Sequence, residues 1–299
     1  MSMETIKIQT ELGVISALSS GSGPLVLMLH GFPDTKETWV AQIAFFANNG
    51  FRAVAVSLRG YEPSSMPQNG DFSDTALAQD VVDVMDALGA TSAHLVGHDW
   101  GAAIAYRAAY LFPERFNSLT TMAVPHAGNF ANKAFFTPKQ AVMSWYMMFF
   151  QLRGLSDWWV TRKNFKFLRR LWTVWSPDWV FSVAEFEQLC DAFRKPGVVH
   201  AALSYYRAAL GPGAAPITPA RRAANRYSVA VPTLGLTGAN EGCIDAEVFK
   251  NLMVSGDFPA GLDVKVIPGA GHFLHREQAD EVNEIVLAWL HRHATAQPA

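Results

Sequence analysis

Residues 97–101, Gly97-His98-Asp99-Trp100-Gly101, constrain this chain more than any other segment. They follow an apolar run, His94-Leu95-Val96, and precede a stretch of small helix formers, Ala102-Ala103-Ile104-Ala105-Tyr106. A glycine has no Cβ, so one on each side of a residue lets strand and helix backbones pass at close range. The residue between them is thrust outward. The sequence therefore predicts a sharp strand-to-helix turn that presents Asp99 to a cleft. An aspartate ahead of an apolar helix also suits a simple cap, but the paired glycines and the buried strand before them favour the turn.

The identity of the presented residue dictates the chemistry. An aspartate, with a reference pKa of ~3.9, is ionised at neutral pH and needs no base to activate it, unlike a serine. A carboxylate is a weak nucleophile toward esters and amides. It is suited to displacing a leaving group at a tetrahedral carbon, which leaves an alkyl ester on the protein. A histidine must then activate water to release that ester. The turn thus predicts two steps, alkylation and hydrolysis.

Elsewhere the chain alternates strands and helices. Ile6-Lys7-Ile8 and Val14 to Leu18 read as a hairpin. Leu25-Val26-Leu27-Met28-Leu29 reads as a strand buried on both faces, and Arg52 to Ser57 as another. Thr38 to Asn48 and Asp74 to Leu88 read as helices ended by Gly50 and Gly89. A strand is expected at Leu119 to Val124. Beyond Pro125 strand-like runs stop, and six of the nine tryptophans fall between Trp145 and Trp179. Alternation resumes with a strand at Pro232 to Gly238, a helix at Ala246 to Met253, a strand at Val264 to Ile267 and a helix at Gln278 to His291. The expected fold is α/β: a mostly parallel central sheet with helices on both faces and an inserted helical lid. Residues 1–125 and 227–299 would form the core and 126–226 the lid over the strands' C-terminal edge, where open α/β sheets bind ligands. The loops Gly211 to Pro216 and Thr218-Pro219 would close the insertion.

Composition narrows the partners. The 299 residues are 50% hydrophobic and carry a net charge of −2, so no basic field attracts nucleic acid. The greasiest segment, Trp145 to Leu152, is too short to span a bilayer, which needs ~20 residues. Two cysteines make no disulfide framework, and the N-terminus carries no secretory signal pattern, so a cytoplasmic location is expected. The chain shows neither Cys/His ligand spacing nor a glycine-rich phosphate loop, and no metal or cofactor is expected. The protein is expected as a monomer or a homodimer.

The strand, turn and helix around Asp99 match the nucleophile elbow of α/β-hydrolases, whose triad runs in chain order nucleophile, acid, base. His272, in Gly269-Ala270-Gly271-His272-Phe273, follows the last strand and is the candidate base; His275 is the fallback. The acid should follow the Pro232 to Gly238 strand. Glu241 stands nearest the strand end, while Asp245 competes but also suits a helix cap. In this fold the loop after the third strand and the residue after the nucleophile donate oxyanion-hole amides, which nominates the N–H groups of Phe32 and Trp100.

Taken together these residues resemble the α/β-hydrolase-fold epoxide hydrolases of the aspartate-nucleophile branch, which are related to haloalkane dehalogenases. The likeness covers nearly the whole chain. It rests on His30-Gly31-Phe32-Pro33, Arg59-Gly60-Tyr61 with Ser64 and Pro67, Gly97 to Ala102, and Gly271-His272-Phe273. The resemblance implies conversion of an apolar epoxide to a vicinal diol. It also implies two lid tyrosines that protonate the opening ring, here Tyr146 in Tyr146 to Gln151 and Tyr206 in Tyr205-Tyr206-Arg207, with Tyr205 as a substitute. Phe32, Trp100, Tyr146 and Tyr206 would contact substrate. The alternative, a haloalkane dehalogenase, commonly places a polar halide donor where this chain has Phe32. The chain departs from the family pattern at Ser57, Glu62 and Glu241, where aspartate, glycine and aspartate are common.

Overall fold

Eight strands assemble into one sheet in the computed structural model, which describes residues 2–133, 137–210 and 227–294. They are β1 (Glu4–Thr10), β2 (Gly13–Ser20), β3 (Leu25–Leu29), β4 (Arg52–Val56), β5 (Ala93–His98), β6 (Phe116–Met122), β7 (Thr233–Gly238) and β8 (Leu262–Ile267). Their order is β1-β2-β4-β3-β5-β6-β7-β8. The first two strands form the expected hairpin, and β2 meets β4 antiparallel. Every other pairing is parallel.

The apolar run of β3 has a direct cause. Side chains along a strand alternate between faces, and each face here carries its own core. Leu25, Leu27 and Leu29 join one core with Leu77 and Val81 of α2 (Asp74–Ala87) and Ile104 of α3 (Trp100–Leu111). Val26 and Met28 join the other with Ile43 and Phe46 of α1 (Val40–Asn48) and Val286 and Trp289 of the C-terminal helix Ala279–Arg292. A strand covered on both faces has no polar side to show. The expected α/β architecture, a mostly parallel sheet with helices on both faces, is what the chain forms.

Several boundaries shift from expectation by one to three residues, and two of the shifts have local causes. The helix expected from Thr38 opens instead as a 3-10 turn, Lys36–Trp39, before α1. The strand expected to reach Val124 ends at Met122, because Ala123 turns out of the sheet at φ 66°.

Between β6 and β7 the described residues hold helices and no strand. These are α4 (Ala127–Lys133), α5 (Pro138–Met143), α6 (Trp145–Phe149), α7 (Leu155–Trp175), α8 (Val183–Arg194) and α9 (Val198–Leu210). Helix α7 bends sharply where Lys163, Asn164 and Phe165 all take positive φ, a region L-residues rarely enter. Burial of the Phe165 ring against Phe193 accompanies the bend. The helices are tied to the sheet by polar anchors: Trp172 Nε1–H donates to the Pro33 carbonyl (2.8 Å) and the Tyr205 hydroxyl to the Arg59 carbonyl (2.8 Å). The loops expected at 211–219 lie outside the described residues. No helix among the described residues is long and apolar enough to cross a membrane.

The glycines of the turn sit where nothing larger fits. A Cβ on Gly101 would fall 2.2 Å from the Leu29 carbonyl oxygen, and one on Gly97 would fall 2.3 Å from the Gly101 oxygen. Backbone cannot swing aside as a flexible side chain does, so Gly101→Ala is expected to destabilise by about 1–3 kcal/mol or more. Gly256→Ala, whose Cβ meets open space, should stay within about 0.5 kcal/mol. Urea midpoints of the two variants check this, and equal midpoints would refute the close-approach argument.

Candidate active site

The parallel strands deliver the candidate residues to one edge of the sheet. Asp99 follows β5 directly, in a strained turn with φ 51° and ψ −118°. It holds the N-cap position of α3, yet its side chain makes no capping bond. The carboxylate instead accepts the Phe32 N–H at Oδ1 (2.7 Å), from the loop after β3. The Phe32-Pro33 bond in that loop is cis. Asp99 is 5% exposed.

His272 comes from the loop after β8 and is fully buried. Its Nδ1 meets both oxygens of Glu241, at 3.0 and 2.9 Å. Its Nε2 stands 3.6 Å from Asp99 Oδ2, an ion-pair distance too long for a hydrogen bond. Burial alone would push this imidazolium pKa down. The facing charges of Glu241 and Asp99 outweigh it and raise the pKa to about 10. The backbone of His272 is braced as well: its N–H donates to the Trp175 carbonyl (3.0 Å), and its carbonyl accepts His98 Nε2–H (2.9 Å).

The two acid candidates separate by what their oxygens do. Glu241 faces His272, while Asp245 caps the helix Ala246–Leu252 (α10) by accepting the Glu247 and Val248 N–H groups. Asp245 also pairs with Lys139. His275 lies apart from Asp99, its Nε2 2.7 Å from the Thr38 hydroxyl.

A cavity of about 390 Å³ opens beside Asp99 and is lined, among the described residues, by Trp100, Tyr146, Tyr206 and Cys243. Phe32 is not among those lining residues. Its ring packs edge-on against Tyr206 (5.4 Å) and Phe150 (5.5 Å), so only its amide reaches the Asp99 carboxylate. Tyr146 and Tyr206 stand edge to face, with centroids 5.7 Å apart. The Tyr146 hydroxyl meets Cys243 Sγ at 3.3 Å. The Tyr206 hydroxyl forms no well-shaped hydrogen bond among the described residues. The adjacent Tyr205 hydroxyl also lines the cavity but is committed to the Arg59 carbonyl. Burial raises the pKa of both Tyr146 and Tyr206 well above the usual tyrosine value, and the Asp99 charge adds to this.

The alpha/beta hydrolase fold family matches residues 24–279. The chain belongs to that family. Epoxide hydrolase 3 of Xenopus tropicalis is 30% identical over 275 residues, spanning 89% of this chain and 71% of that protein, and places the chain among the family's epoxide hydrolases. Epoxide hydrolase 4 of Homo sapiens is 28% identical over 275 residues, spanning 89% of this chain and 72% of its own length. The crystal structure of a Bacillus megaterium epoxide hydrolase in complex with an inhibitor superposes with a TM-score of 0.82 at 27% identity, covering 96% of this chain and 100% of that one.

Two neighbours of this epoxide hydrolase family site escape a reading of the sequence. Trp175 packs its ring on both His272 (5.0 Å) and Tyr146 (5.0 Å), so one inserted helix braces both. Cys243 lines the cavity. Its backbone N–H donates to Glu241 (2.7 Å), and its buried thiol has a pKa raised well above the usual value, by burial first and then by Glu241 and Asp99. Neither residue carries a local signal, because each depends on a partner distant in sequence.

Proposed function

We propose that this protein hydrolyses an apolar epoxide to a vicinal diol through a covalent ester on Asp99. The observation that carries the reading is the pair of buried, protonated tyrosines, Tyr146 and Tyr206, in the cavity that holds the Asp99 carboxylate. An opening epoxide becomes an alkoxide, a poor leaving group without an acid. A halide needs no such proton. Tyr206 borders the cavity beside Asp99 and Trp100, where its hydroxyl would meet the epoxide oxygen.

The hydrogen bond from Phe32 assigns the two Asp99 oxygens. Oδ1, held by the amide, becomes the ester carbonyl oxygen, and Oδ2 attacks the ring carbon. As that carbon–oxygen bond breaks, the ring oxygen takes a proton from the tyrosines. Esterification removes the Asp99 charge, one of the two anions that hold His272 protonated. His272 then gives up its proton, which restores the tyrosine that protonated the ring oxygen. The neutral imidazole, oriented by Glu241, draws a proton from water as that water attacks the ester carbonyl. Phe32 and Trp100 N–H groups stabilise the oxyanion formed there. On collapse the remaining proton of the attacking water passes to the departing alkoxide, which frees the diol and leaves Asp99 anionic and His272 protonated again. We place this activity in the cytoplasm on the strength of two free cysteines, Cys190 and Cys243.

Tyr146→Phe combined with Tyr206→Phe tests the reading. General-acid catalysis contributes ~10²–10⁴-fold, and epoxide turnover should fall by about that much in steady-state assays. Turnover of haloalkanes by wild type with none of epoxides, or epoxide turnover unchanged in the double variant, would refute it.

A further inference from the structure

We propose that the space between Asp99, Cys243 and His272 is a binding site for a thiophilic divalent metal ion such as zinc or cadmium, and that its occupation shuts the enzyme off. One ligand atom from each residue lies within 4.8 Å of the others, and all three residues are buried. A tetrahedral zinc ion with bonds of ~2.0 Å to nitrogen and oxygen and ~2.3 Å to sulfur holds its ligands roughly 3.3–3.6 Å apart. The Asp99 and His272 atoms already stand 3.6 Å apart. The Cys243 sulfur lies within 4.8 Å of both, so closing the set requires it to move inward.

The second observation is the imidazole itself. His272 Nε2 is fully buried and faces Asp99 Oδ2 at 3.6 Å, and a bound ion would take the place of the proton it carries there. Its other nitrogen is held by Glu241, the carboxylate–histidine arrangement that orients metal-bound imidazoles and raises their basicity. The same carboxylate accepts the Cys243 N–H, so Glu241 braces two of the three ligands. A metal-bound cysteine is deprotonated, so the ion would displace the thiol proton on binding. Asp99 and Cys243 both line the cavity, and the Tyr146 hydroxyl borders the sulfur at 3.3 Å. Residues 99, 243 and 272 share no ligand spacing in the sequence, and only the fold brings them together. The binding stands on this geometry alone; its inhibitory effect rests on the function proposed above.

Cadmium titration, read by the ultraviolet charge-transfer band of a metal thiolate, tests the site without turnover. Wild-type protein should bind about one equivalent. Cys243→Ala and the closer isostere Cys243→Ser should lose the band, while Cys190→Ala keeps it. Glu241→Gln should bind ~10–100-fold more weakly. In epoxide assays zinc should inhibit wild type, chelation should restore it, and either Cys243 variant, lacking a direct ligand, should need more zinc by at least the ~10–100-fold that loss of an outer-shell partner costs. A band that persists in both Cys243 variants, no band in wild type at about millimolar cadmium, or equal zinc inhibition of wild type and variants would overturn the proposal. A protein that shows the band yet turns over no epoxide would support the metal site while removing the function proposed above.

Discussion

A single turnover of an epoxide by excess enzyme in oxygen-18 water is expected to give an unlabelled diol. The oxygen added to the carbon comes from Asp99 Oδ2, and the water oxygen stays behind in the carboxylate. Only later turnovers pass label to product. Mass spectrometry of the first diol, and of the peptide carrying Asp99, reads both halves of this exchange. A first diol that carries the label means water attacked the ring directly, and the covalent route fails. The companion variant, Asp99→Ala, removes the nucleophile and leaves His272 with Glu241 alone. Loss of a nucleophile from a catalytic unit costs on the order of 10⁴–10⁶-fold in kcat, and residual activity near wild type would refute the role of Asp99.

His272→Gln should separate the two half-reactions. Asp99 is ionised without help from a base, so the variant retains alkylation and loses hydrolysis. Incubation with an epoxide should add the mass of one epoxide to the protein, at Asp99, while steady-state turnover falls by about 10⁴-fold or more. The arrangement explains the asymmetry. His272 Nε2 stands beside Asp99 Oδ2 and its Nδ1 is engaged by Glu241, a geometry that delivers water to an ester rather than a proton to a ring oxygen. A variant that neither alkylates nor turns over, while folded by circular dichroism, would mean His272 acts in the first step.

How far the site could be read in advance depended on how local each signal was. The Asp99 turn was legible because its cause lies within five residues: two glycines that backbone contacts at 2.2 and 2.3 Å leave no room to replace. The parallel strands were legible because burial on both faces removes polar residues from them. The choice between Glu241 and Asp245 was open in the sequence, since only three residues separate the two carboxylates and either side chain could turn inward. Tyr205 and Tyr206, adjacent and both buried, were open for the same reason.

The sequence by itself determined the kind of fold and the residue presented at the turn, because periodicity and missing Cβ atoms act over a few residues. The tertiary structure decided which side chains face that residue. It sends Glu241 to His272 and Asp245 to a helix end, ties the Tyr205 hydroxyl to Arg59 while Tyr206 borders the cavity, withdraws the Phe32 ring from the cavity and brings the Cys243 thiol beside Asp99. Apart from the local Asp245 cap, these rest on contacts between elements far apart in the chain, where packing and hydrogen-bond satisfaction, rather than local propensity, choose the partner.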